Sequence, residues 1–298
     1  MATSTAAPAV NRFAFPAMLL ASVMLAFGPV LVRMADVAPV ASAWWRMALA
    51  AAPLVLMARF AGQRPAPGVL NPHVLWLAAL GGVFFAVDLA FWHLGIVRTT
   101  LANASLLSNA ASFLLPLWGF VVLGHRPGTA AKLAIVCALA GTILLVGRSA
   151  ELSPRHLAGD LYCLLAALFY TAYLIVIDRL RGTVAPLPLL ALATLFGGAA
   201  LLPFAWVVAG ANGFWPHDWT PLVLLALGSQ VIGQGLVVFA VGHLRPIVVG
   251  LALLIQPAIG GIIGALRFGE VPGLAELAGA LLVVAALILV RLPEKPAG

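Results

Sequence analysis

Apolar residues run along the chain in long stretches, broken by short groups of Pro, Gly and charged residues. A bilayer-crossing helix needs about 20 mostly apolar residues. Ten runs approach that length: 13–33, 40–60, 73–97, 100–123, 128–147, 157–178, 185–208, 221–243, 246–266 and 274–292. The pattern predicts an all-α integral membrane protein with ten transmembrane helices. The longest polar stretches, 61–72, 148–156 and 209–220, leave no room for a soluble domain. Residues 1–12 read as a disordered N-terminal tail and 293–298 as a C-terminal tail. The first run, from Phe13 to about Arg33, exceeds the ~7–15-residue core of a signal peptide and is read as a span.

The runs divide into two similar halves. Gly124-His125-Arg126-Pro127-Gly128 returns as Gly269-Glu270-Val271-Pro272-Gly273, an offset of 145 residues. At the same offset Leu106 meets Leu251, Ala130 meets Ala275, Ala140 meets Ala285, and Ile143-Leu144 meets Ile288-Leu289. The repeats are expected over 13–147 and 157–292. Five spans is an odd number, so the second copy enters the bilayer upside down relative to the first. Two inverted-topology five-helix repeats then surround a central cavity.

Charge orients the spans. With the N-terminus inside, ten Lys and Arg fall on the cytoplasmic side (Arg12, Arg59, Arg64, Arg126, Lys132, Arg179, Arg181, Arg245, Arg291, Lys295) and five outside (Arg33, Arg98, Arg148, Arg155, Arg267). The positive-inside rule places both termini in the cytoplasm and the chain in the cell inner (plasma) membrane, multi-pass.

Composition agrees. Charged residues make up 8% and hydrophobic ones 63%, against roughly 25% charged in a soluble domain. The net charge of +7 is scattered over segment ends, so no nucleic-acid partner is expected. Cys137 and Cys163 lie in apolar segments without a CxxC, which disfavours a disulfide or metal site. HExxH, DxxxD, GxSG and Walker A patterns are missing, so neither an enzyme nor a cofactor is expected.

Polar groups at mid-span are costly in hydrocarbon, so each needs a reason. Asp88 and, four residues on, Trp92 share a face of segment 3, beside His93. Ser105, Ser108, Asn109 and Ser112 form a stripe on segment 4. Tyr170 and Tyr173 lie on segment 6, Gln230 and Gln234 on one face of segment 8, and Gln256 at the centre of segment 9. Asp88, Trp92, His93, Ser108, Asn109, Ser112, Tyr170, Tyr173, Gln230, Gln234 and Gln256 are the candidate cavity residues. Each has a plainer alternative: serines bonding their own backbone, amides joining helices, Asp88 pairing with Arg46 or His93, and aromatics packing the core. Trp44, Trp45, Trp215 and Trp219 fall near segment ends, where an interfacial belt is expected. Pro257 with Gly260 and Gly264, a small-xxx-small pattern, are candidate hinge residues.

The chain resembles the EamA branch of the drug/metabolite transporter superfamily over roughly 13–292. The resemblance rests on Pro257 followed by Gly269-Glu270 in the turn after the fourth helix of a repeat, and on Trp45-Arg46 early in helix 2. The first half departs from it: Ser112 replaces the proline and His125 the glutamate. It implies a secondary transporter shaped as a basket, with the fifth helix of each repeat packed outside. The Trp and Tyr content further resembles bacterial aromatic amino acid exporters. The expected partners are a small-molecule substrate, the lipid bilayer and transported protons, in a monomer or homodimer. A lipophilic-cation or other small-metabolite exporter is the alternative, with a membrane enzyme or scaffold more remote. Phosphorylated cargo is disfavoured, because it would want several buried cations and Arg46 alone is available.

Overall fold

The computed structural model describes residues 12–111, 114, 117, 118, 122, 128–180, 182–241, 243, 244, 252, 253 and 255–289. Among them all regular structure is helical. The elements are α1 (Ala14–Ala26), α2 (Gly28–Met34), α3 (Pro39–Phe60), α4 (Pro72–Ile96), α5 (Leu101–Ser108), α6 (Thr129–Leu152), α7 (Pro154–Asp178), α8 (Pro186–Phe214), α9 (Thr220–Leu224), a π-helical segment (Leu225–Gly233), α10 (Gln234–Val241), α11 (Ile255–Phe268) and α12 (Leu274–Leu289). Among the described residues, seven helical stretches are long and apolar enough to cross a membrane: Ala14–Met34, Pro39–Phe60, Pro72–Ile96, Thr129–Ser149, Pro154–Asp178, Pro186–Phe214 and Thr220–Val237. Ile255–Phe268 and Leu274–Leu289 are apolar but shorter. The protein is therefore a multi-pass membrane protein.

Local chemistry sets the helix ends. α4 starts where Asn71 Oδ1 accepts the Val74 N–H at 3.0 Å, with Pro72 in the first turn, where its missing N–H costs nothing. Ser153 and Pro154 start α7 in the same way. The first run breaks at Phe27, because Pro29 cannot donate a helical hydrogen bond. α8 kinks at Gly210, just past the predicted end at 208, and a further helical turn carries the chain to Phe214. Gly210 has φ 63°, which a glycine adopts without strain. α6 likewise continues to Leu152 beyond the predicted 147.

Glycines fix how closely the helices pack. α4 lies against α7 and α8, and α3 against α8. At the α4–α8 crossing, a Cβ on Gly82 would stand 2.8 Å from both the Ala193 carbonyl oxygen and the Gly197 nitrogen. α6 and α12 touch each other through Gly141, whose Cβ would lie 2.7 Å from the Gly279 carbonyl oxygen. Only hydrogen at Cα permits this approach. Gly82→Val is accordingly expected to destabilise the helical body by about 3 kcal/mol, the upper end of over-packing costs. A thermal-unfolding scan in detergent would register this as a lowered midpoint.

The tryptophans correct the belt reading. Trp45 is buried and its Nε1–H donates to the Phe214 carbonyl at 2.8 Å. Trp44, Phe214, Trp215 and Trp219 ring it at centroid distances of 4.5–5.6 Å. Trp215 and Trp219 keep exposed faces. Beside this cluster, Asp36 ties the α2–α3 connection to the chain beyond α8. Its Oδ2 accepts the His217 and Asp218 amides at 2.8 and 3.0 Å. Those two backbone bonds, from Asp218 and His217, hold the Asp36 carboxyl below its usual range. A depressed folded-state pKa means the tie is complete above the ordinary carboxylate pKa and lost as pH falls through the lower, folded value. Protection of the His217 and Asp218 amides, their exchange measured against the unstructured-chain rate at the same pH, should therefore fall in acid, and Asp36→Asn should remove that fall.

Candidate functional site

A guanidinium organises the polar interior. Arg46 projects from α3 and is buried. Its Nε–H donates to Gln230 Oε1 on the π segment at 3.0 Å. The Gln230 amide in turn donates to Thr194 Oγ1 on α8 at 3.3 Å. The Arg46 Cζ sits 5.5 Å from the centre of the Trp92 ring, within cation–π range. Asp88, one turn before Trp92 on α4, is 8% exposed and feels the Arg46 charge, as Tyr170 does. No direct hydrogen bond or ion pair joins Asp88 to Arg46 among the described residues. Tyr170 packs on Tyr173 at 5.6 Å, and Tyr173 stacks on Phe85 at 4.9 Å.

This centre holds spare hydrogen-bonding capacity. Arg46 Nη1, Trp92 Nε1 and His93 Nε2 are buried without a hydrogen-bond partner among the described residues. His93 lies against Ser42, with Nδ1 2.7 Å from the hydroxyl oxygen, while that hydroxyl donates to the Pro39 carbonyl at 2.8 Å. With the Ser42 proton directed at Pro39, the neutral His93 ring donates from Nδ1 and has an acceptor lone pair at Nε2. Buried polar groups are normally satisfied, so three orphans within one small region single it out.

Of the sequence candidates, Asp88, Trp92, His93, Tyr170, Tyr173 and Gln230 come together here. The pairing of Asp88 with His93 is replaced by the Ser42 contact. Ser108 and Asn109 do not join the group: both donate back to the Ser105 carbonyl, at 3.2 and 2.7 Å, and α5 ends there. Gln234 and Gln256 are half-buried, and their side chains make no hydrogen bond to the described residues. Ser112 and His125 lie outside the described residues. Pro257, Gly260 and Gly264 are buried on α11. Gly260 faces the Leu101 carbonyl of α5, and Gly264 makes room for the Glu270 carboxylate. The residues missed are Thr194 and Ser42, and Arg46, named only as a possible partner of Asp88, is absent from the candidate cavity residues. Arg46 carried the clearest signal, a cation well inside an apolar run.

A second polar junction lies at one end of the bundle. Arg33, closing α2, pairs with Glu270 in the α11–α12 turn and donates to the carbonyls of Ile96, at 2.9 Å, and Thr99. Glu270 also accepts the Leu101 amide at 2.8 Å, which starts α5. Thr99 donates on to Asp160 of α7, and Asn103 holds the same carboxylate at 3.4–3.5 Å. One chain of bonds thus ties α2, the α4–α5 connection, α7 and the α11–α12 turn.

Comparison with known proteins agrees with this architecture. The model of the EamA-like transporter family matches residues 12–147 and again 157–292. An uncharacterized transporter of Archaeoglobus fulgidus is 26% identical over 210 residues, covering 70% of this chain and 73% of the relative. Another from the same organism is 25% identical over 220 residues, covering 72% and 74%. A solved protein crystal structure superposes with a TM-score of 0.62 over 94% of this chain and 96% of its own, at 21% identity, a likeness of fold alone. Matched in both halves by one family model, the chain belongs to the EamA-like transporter family.

Proposed function

We propose that the chain is a secondary transporter of the inner membrane that exports small zwitterionic metabolites, aromatic amino acids first among them. Ten spans in two inverted five-helix repeats, with both termini cytoplasmic, would work by alternating access. The observation carrying this reading is that Arg46 and Asp88 are both buried in one polar centre with no hydrogen bond or ion pair between them. Arg46 Nη1 also keeps an N–H unused among the described residues. A zwitterion completes such a site. Its ammonium meets Asp88, and its carboxylate meets Arg46 Nη1 and Trp92 Nε1. Tyr170, Tyr173 and the Trp92 ring offer flat apolar surface to a side chain. Pro257, Gly260 and Gly264 act as the bending points of α11, and Asp88 or His93 carries any coupled proton.

Vesicles reconstituted with the protein and loaded with tryptophan or phenylalanine should release them faster than protein-free vesicles, and an unlabelled aromatic amino acid outside should exchange with the load. Release no faster than from protein-free vesicles for every amino acid tried would end the proposal. A lipophilic-cation exporter is the second reading, favoured by the acid beside three aromatic rings. It needs Asp88 and not Arg46, so loss of Arg46 separates the two.

A further inference from the structure

The ends of α3 and α8 enclose a crevice remote in character from the polar centre. It measures about 310 Å³, the small end of the ~300–1,000 Å³ range of ligand pockets. Its walls are apolar, with Val55 from α3, Leu70 from the connecting loop, and Leu192 and Leu195 from α8. Its polar rim is cationic. Arg59 and Arg64 stand at the mouth, exposed and without a hydrogen-bond or ion-pair partner among the described residues. Gln63, also lining it, accepts the Leu187 amide at 3.0 Å, which fixes the loop across the first turn of α8. That first turn adds the positive end of a helix dipole. No acidic residue lines the crevice.

We propose that this crevice binds one anionic phospholipid, with part of an acyl chain between α3 and α8 and the phosphate against Arg59 and Arg64. The shape selects an amphiphile. A small anion would leave the apolar slot empty, and an apolar molecule would leave both guanidinium groups without a counter-charge. The headgroup would lie on the side that carries the arginine excess, where anionic lipids attract basic residues. The inference rests on membrane residence and not on the identity of the transported substrate.

Native mass spectrometry of the intact detergent-solubilised protein tests it, with phosphatidylglycerol or phosphatidylcholine of equal chain length added in turn. The wild type should retain one phosphatidylglycerol about tenfold more tightly than phosphatidylcholine. The double variant Arg59→Gln/Arg64→Gln should lose that preference, with its thermal midpoint unchanged in lipid-free detergent. Leu195→Trp, which fills the slot from the lipid side, should weaken retention of both lipids. Glycerol phosphate, the headgroup without chains, should not displace the bound lipid. Equal retention of the two lipids by the wild type, an undiminished preference in the double variant, or displacement by glycerol phosphate would each overturn the proposal. Amino acid release from vesicles is scored separately, so failure here leaves the transport reading standing.

Discussion

Arg46→Met should cut amino acid release from loaded vesicles by about a hundredfold while leaving the protein folded. Methionine keeps much of the stem volume between α3 and the Trp92 ring, so packing changes little. What disappears is the cation. In the proposed complex the substrate carboxylate would lose its cation, and truncating one partner of such a buried charge pair costs about 2–5 kcal/mol, where about 1.4 kcal/mol is tenfold. Gln230 Oε1 loses its donor as well, and Asp88 is left without the nearby positive charge. Arg46→Lys should rescue only in part, because an ammonium cannot bond Gln230 and a substrate carboxylate through one rigid fork. Asp88→Asn is the counterpart and should also abolish amino acid release. The measurement is the initial release rate, normalised to protein inserted. Undiminished release of tryptophan from Arg46→Met vesicles would remove the arginine from the site. Release of a lipophilic cation surviving in Arg46→Met but not in Asp88→Asn would favour the second reading.

Glu270→Gln is expected to cost about 2–3 kcal/mol at the junction of α2, α5 and the α11–α12 turn, the range for hydrogen bonds to charged groups. The carboxylate accepts from both Arg33 and the Leu101 amide, and the amide that replaces it can accept through one oxygen only. Arg33 then remains partly buried beside Phe268, its Cζ 4.9 Å from the ring centre. Arg33→Gln should give a similar loss. The double variant should fall well short of the sum, because the two residues are in direct contact. A cysteine at Ala102, on the α5 surface facing Gly261, should react faster with a membrane-impermeant maleimide in Glu270→Gln than in its absence. Additive losses with unaltered labelling would mean that the pair does not hold the end of the bundle closed.

Much of this arrangement is legible in the sequence, and the reasons differ from residue to residue. Asp88, Trp92, Tyr170 and Gln230 are visible because polarity in hydrocarbon demands an explanation and each sits at mid-run. Arg46 is just as deep and is read as a possible partner of Asp88, but the sequence does not show that it bonds Gln230 on another helix. Thr194 and Ser42 are short hydroxyl residues of a kind that usually satisfies itself on its own helix, and only a partner on another helix distinguishes them. The serine and asparagine stripe of the fourth run misleads for that reason, since Ser108 and Asn109 return to their own backbone. Glu270 stands out as part of a repeated motif. Its partner Arg33 lies at the far end of the sequence, where spacing carries no information. The tryptophans near segment ends read as a belt by depth alone, yet Trp45 is enclosed because the turn beyond the Gly210 kink brings Phe214 over it.

The wide turn from Leu225 to Gly233 makes part of the eighth run a matter of winding. The Gln234 amide reaches back five residues to the Ser229 carbonyl, where an α-helix reaches four. Wide turns of this kind hold an extra residue. Taking that residue up into regular α geometry turns everything beyond it by about 100° and advances it by about 1.5 Å. Gln230 lies inside the wide turn, anchored to Arg46 and Thr194, and α10 lies beyond it. A screw-like step stored in one turn of backbone can therefore reset which face α10 offers to α1 while the amide at the site stays where it is.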